Sequence, residues 1–140
     1  MTALTLLISF EVSLVTIDVS KYDIRYFANN RPVKHMVCNE VMAKPLIQAL
    51  ECVHKKEKAL GKKILHNYAG CYVNRYIHGT TKYSQHAFGL AIDVNVSVPA
   101  DRYTDLTSPE LVSCFKETGF IWGGDWKNKD YMHFEFIIRS

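Results

Sequence analysis

Two short stretches alternate apolar and polar side chains with a period of two, and this alternation constrains the fold more than any other feature of the chain. In LAIDVN, Leu90 to Asn95, the residues Leu90, Ile92 and Val94 alternate with Ala91, Asp93 and Asn95. In DYMHFEFII, Asp130 to Ile138, Met132, Phe134 and Phe136 alternate with His133 and Glu135. Successive side chains of a strand point to opposite faces, so each stretch predicts a strand with one apolar face and one polar face. The apolar face has to be covered. The polar faces collect Asp93, His133 and Glu135.

Covering elements are legible on either side of the first strand. Thr107 or Ser108 as cap, Pro109 and Glu110 in a first turn, Leu111, Val112 and Phe115 as the apolar side, and Gly119 as the stop predict a helix. A second helix is expected near Pro45, which a first turn tolerates, with Leu46, Ala49, Leu50 and Val53 on one face and a stop near Gly61. Within it, HKKEK reads as a solvated face. Asn29, Asn30 and Pro32 mark a loop, and Ile64 to Val73 reads as a short aromatic strand. The apolar N-terminal stretch MTALTLLISFEVSLVTIDVS has no Lys or Arg before Lys21 and is interrupted by Glu11, so it predicts strand structure instead of a signal peptide or membrane span.

The pattern is α+β, without repeats or low-complexity tracts. At 140 residues and 48% hydrophobic, it fits one small domain, residues 1–140, with a central antiparallel sheet and helices packed on one side. The 17 Lys and Arg against 14 Asp and Glu leave a net charge of +3, too small to indicate a nucleic-acid partner. Cys38, Cys52, Cys71 and Cys114 are widely spaced, form no C-x-x-C pair and are expected as buried free thiols.

The chemistry resides in SQHAFGLAIDVN, Ser84 to Asn95. It places His86 at the start of the first strand and Asp93 within it. If the two strands share a sheet, His86, Asp93 and His133 converge, and two imidazoles with one carboxylate and an open fourth position make a catalytic zinc shell. Two His and one carboxylate also serve non-heme iron oxygenases, but there a single residue commonly separates His from the acid, and here six intervene. Zinc is the better match. Any one of these residues alone would be an ordinary hydrogen-bonded polar group.

SQHAFGLAIDVN, then GFIWGGDW at Gly119 to Trp126 and DYMHFE at Asp130 to Glu135, resembles the zinc peptidases that cut peptidoglycan stem peptides. These are the D-alanyl-D-alanine carboxypeptidases and dipeptidases and the L-alanyl-D-glutamate endolysins. The resemblance spans roughly Gly70 to Phe136. It implies a fold of the hedgehog/D-Ala-D-Ala peptidase type, with one Zn2+ in an open groove held by His86, Asp93 and His133, and Asp130 as general base. The dipeptidase branch has Glu at the base position, whereas the endolysin-like members have Asp.

The resemblance also covers NRYIHGTTKYSQH, where Arg75 and Ser84 fit the family's R…G-T…S-x-H arrangement. Arg75 is expected to bind a substrate carboxylate or the carbonyl oxygen as it becomes an oxyanion. Ser84 is expected at the substrate edge, His78 as an exposed loop residue, and Trp122 and Trp126 as packing groups around Gly123 and Gly124. The function implied is hydrolysis of a peptidoglycan stem peptide by an L-alanyl-D-glutamate endopeptidase, with D-alanyl-D-alanine carboxypeptidase as the alternative. A zinc-binding recognition module that does not cleave is the alternative of another class. With no evident signal peptide, such a protein would reach the wall by another export or lysis route.

Overall fold

The computed structural model describes residues 13–73, 76–77, 79–97 and 107–138. Strand β1, Leu14–Asp18, pairs antiparallel with β3, His35–Asn39, as a two-stranded ribbon. The expected N-terminal strand is therefore present over these five residues, and the part of the apolar stretch before Ser13 lies outside the described residues.

The main sheet has five strands. They are β2, Arg25–Tyr26, β4, Asn67–Gly70, β5, Ala91–Val94, β7, His133–Phe136, and β6, Phe120–Trp122, in the order β2-β4-β5-β7-β6. Every neighbouring pair is antiparallel except β2 with β4 at one edge. The two alternating stretches are thus adjacent strands, with Ile92 opposite Phe134 and Asp93 opposite His133. That register brings Asp93 and His133 together, because a slip of one position would send His133 to the other face.

Helix α1, Glu40–Leu60, begins five residues before Pro45. Asn39 ends β3 and caps the helix through its side-chain oxygen, which accepts from the Val41 N–H. Pro45 is therefore interior, which corrects the expectation of a first-turn proline. Its ring nitrogen leaves the Val41 carbonyl without its helical donor. Val41 itself is an exposed residue. Gly61 ends α1 in the left-handed region, φ 63°.

Helix α2, Pro109–Glu117, follows the sequence reading: Ser108 Oγ accepts from the Leu111 N–H. Leu111, Cys114 and Phe115 are its buried residues. Phe115 stacks on Phe134 at 4.4 Å between ring centroids, so the apolar face of β7 is the one α2 covers. Truncating a buried aromatic of this kind costs ~3–5 kcal/mol. With Phe134 turned toward the helix, His133 and Glu135 emerge on the opposite side.

The cysteines depart from expectation. Cys52 of α1 and Cys114 of α2 form a disulfide across 62 positions of sequence, while Cys38 and Cys71 remain buried free thiols. Helix packing makes Cys52 and Cys114 neighbours, and no local spacing could reveal that. A crosslink closing a loop of this length removes ~4 kcal/mol of chain entropy from the unfolded state.

Candidate metal centre

Three elements supply the cluster. His86 sits in a single 3-10 turn, Gln85–Phe88, that leads into β5; Asp93 lies in β5 and His133 opens β7. Gly89 closes the 3-10 turn with φ 67°, and a Cβ there would press on the backbone of Cys38 and Asn39. This glycine lets the chain turn from loop to strand against β3.

One ligand atom from each of His86, Asp93 and His133 can be chosen so that all lie within 4.8 Å of one another. His86 Nε2 is 3.2 Å from Asp93 Oδ2, and His133 Nδ1 is 3.2 Å from Asp93 Oδ1. The two rings meet edge to face at 5.1 Å. Both imidazoles are buried, and the Asp93 carboxylate is one-quarter exposed.

The far side of each ring decides what the near side offers. His86 Nδ1 lies 2.9 Å from the carbonyl oxygen of Cys71, and a carbonyl only accepts, so Nδ1 carries the hydrogen. Nε2 is then the atom presented to Asp93. It is buried and makes no hydrogen bond among the described residues. In the neutral ring that atom carries a lone pair, and a lone pair facing a carboxylate across 3.2 Å is an unfavourable pair of acceptors unless a cation, a proton or a metal ion, lies between them. The donor set of two imidazole nitrogens and a carboxylate is one that zinc accepts.

The charges agree. Burial pulls the Asp93 carboxyl upward, but the hydrogen bond from His133 and the facing imidazole of His86 outweigh it and hold the group down to about 2. Burial opposes a charge on His133, yet Asp93 and then Glu135 prevail and push it up to about 9. A positive charge is favoured where the three side chains meet.

Asp130 stands beside this cluster. Burial, and secondarily the charge of Asp93, raise its carboxyl above the usual carboxylate range. A carboxyl shifted in that direction is the kind suited to accept and return a proton near neutral pH. Asp130 also accepts from the Met132 N–H, so it shapes the turn into β7 as well.

WGGDW holds Asp130 in place. The Asp130 N–H donates to the Gly123 carbonyl at 2.9 Å, and a Cβ on Gly123 would press into the Asp130 carbonyl and stand 3.1 Å from its Cβ. A Cβ on Gly124 would enter the Trp122 ring. Trp122 Nε1 donates to the Tyr131 carbonyl at 3.0 Å, and the Trp126 ring lies 5.2 Å from that of His133. Both tryptophans pack as expected, Trp126 directly against the imidazole. With Asp130 in the general-base role that the resemblance implies, Gly123→Ala should displace it and lower turnover by up to about 100-fold, as misplacement of a catalytic group by an ångström can. Metal content, measured alongside, should stay at the wild-type level.

Ser84 is buried, and its hydroxyl has no hydrogen-bond partner among the described residues. Arg75 and His78 lie outside the described residues. Sequence reasoning missed Cys71, whose contribution is a backbone carbonyl and so carries no side-chain signal.

Residues 78–136 match the sequence model of a family described as D-alanyl-D-alanine carboxypeptidase. The family read from the motifs is borne out. The matched span contains His86, Asp93, Asp130 and His133 and begins after Arg75. Family and cluster together support a metallopeptidase, with the His-Asp-His group able to hold a metal ion. A peptidase of this family implies a peptidoglycan-derived substrate and action at the cell wall. Among the described residues, no helix is long and apolar enough to cross a membrane.

Proposed function

We propose that the protein is a zinc-dependent peptidase that hydrolyses a peptide bond of peptidoglycan stem peptides as an L-alanyl-D-glutamate endopeptidase. The observation that carries this reading is the convergence of His86 Nε2, His133 Nδ1 and the Asp93 carboxylate, with the raised carboxyl of Asp130 alongside. His86, Asp93 and His133 would hold one Zn2+. When bound, the metal supplies Lewis acidity, polarising the scissile carbonyl and making water acidic near neutral pH.

The remaining work falls to the chain. A carboxylate oxygen of Asp130 takes the proton from the attacking water and returns it to the leaving amine. The Ser84 hydroxyl, buried without a partner among the described residues, donates to the substrate. The Arg75 guanidinium binds a substrate carboxylate or the carbonyl oxygen as charge develops on it.

GFIWGGDW together with an aspartate base supports the endopeptidase. The description of the matched family favours D-alanyl-D-alanine carboxypeptidase as the second reading. Incubation of the zinc-loaded protein with defined stem peptides, followed by mass spectrometry of the products, tests both. Release of L-alanine, leaving a peptide that begins with D-glutamate, is expected, and release of a terminal D-alanine would assign the carboxypeptidase. No cleavage of any peptide by metal-loaded protein would leave a zinc-binding recognition module.

A further inference from the structure

Glu135 is on the His133 face of β7 because the two residues are separated by one position in a strand. Its carboxylate Oε1 lies 2.8 Å from His133 Nε2, with side-chain exposures of 16% and 9% for Glu135 and His133, so a charge is kept in a largely desolvated place. Its cross-strand neighbours, Ala91 of β5 and Ile121 of β6, offer no charge to pair with it. The partner of Glu135 among the described residues is therefore a ring nitrogen of a candidate ligand.

We infer that Glu135 is a positioning residue, which holds the hydrogen of His133 on Nε2 so that Nδ1 is the atom delivered to the metal. The inference rests on the metallopeptidase reading. A carboxylate can only accept, so Nε2 must donate, and the ring is fixed in both tautomer and rotation. His86 is held by the same device with the roles of its nitrogens exchanged: Nδ1 donates to the Cys71 carbonyl, and Nε2 faces Asp93. The two ligand rings thus present opposite nitrogens to one carboxylate. Without Glu135, His133 could keep its hydrogen on Nδ1, donating to Asp93 in the position a metal would take.

Two measurements test this. Competition for zinc between the protein and a chromophoric chelator should show a 10- to 100-fold loss of affinity in Glu135→Ala, the usual effect of removing such a partner. Glu135→Gln keeps an accepting oxygen and should lose less than about tenfold. Nitrogen-15 NMR of zinc-loaded wild-type protein should place the His133 hydrogen on Nε2, and this reading needs no variant to fold. Wild-type zinc affinity in a folded Glu135→Ala, or a His133 hydrogen on Nδ1 in the zinc-loaded wild type, overturns the role of Glu135 and leaves the metal site standing. Failure of the wild-type chain to take up zinc would overturn the metallopeptidase reading and this inference with it.

Discussion

Asp130→Asn should lower turnover on stem peptides by roughly 100-fold or more while zinc content stays at the wild-type level. The amide is nearly isosteric and can still accept from the Met132 N–H, so the turn into β7 and the Gly123 contact should survive. What is lost is the ability to bind and release a proton at that oxygen. Parallel measurement of turnover and metal content separates this role from a purely structural one. If Asp130 served only to shape the turn, Asn would serve nearly as well, and turnover would hold. Unchanged turnover would remove Asp130 from the mechanism.

The sheet was legible because its two central strands obey period two. Leu90, Ile92 and Val94 are buried as the alternation predicts, and Phe134 is buried under α2. Ala91 and Asn95 are buried too, which alternation alone did not anticipate. Asn95 ends the strand at φ 53°, accepting from the His66 N–H and donating to the Ile64 carbonyl. Its polarity therefore serves a strand junction. Pattern reading places such a residue on a face but cannot find partners 31 positions away.

The helix boundaries show the same division. Ser108 and Pro109 announce α2 locally, since cap and first-turn proline are adjacent in sequence. For α1 the proline points to the wrong start, because the helix is capped by Asn39 at the end of β3 and tolerates Pro45 in its interior, beside the exposed Val41. The disulfide lay beyond reach for a related reason: Cys52 and Cys114 meet only once both helices pack. Of the candidate site, the three side chains that converge, His86, Asp93 and His133, were legible through three ordered motifs. The carbonyl of Cys71, which fixes the His86 ring, was not, because every residue carries one.

Asp93→Asn distinguishes a metal centre from a buried ion pair made of the same three residues. In a metal centre Asp93 is one of three ligands, and structural zinc sites with four are worth ~10–16 kcal/mol, so losing one should weaken zinc binding by roughly two to three orders of magnitude. The metal-free protein should respond in its own way. His133, with its pKa raised to about 9 from 6.5, contributes stability that is fully present below about pH 6.5 and is lost as pH rises through about 9. Asp93, held down to about 2 from 3.8, contributes stability that is present above about pH 4 and is lost as pH falls through about 2. Chelator-treated wild type should therefore be most stable between about pH 4 and 6.5, and thermal melts of Asp93→Asn should lose most of that dependence. Zinc competes with the proton on His133 Nδ1, so wild-type affinity should rise about tenfold per pH unit up to about 9. A pH-dependent melt without zinc uptake would identify an ion pair that stabilises β5 against β7, whereas both together identify a site where metal and proton exchange at one nitrogen.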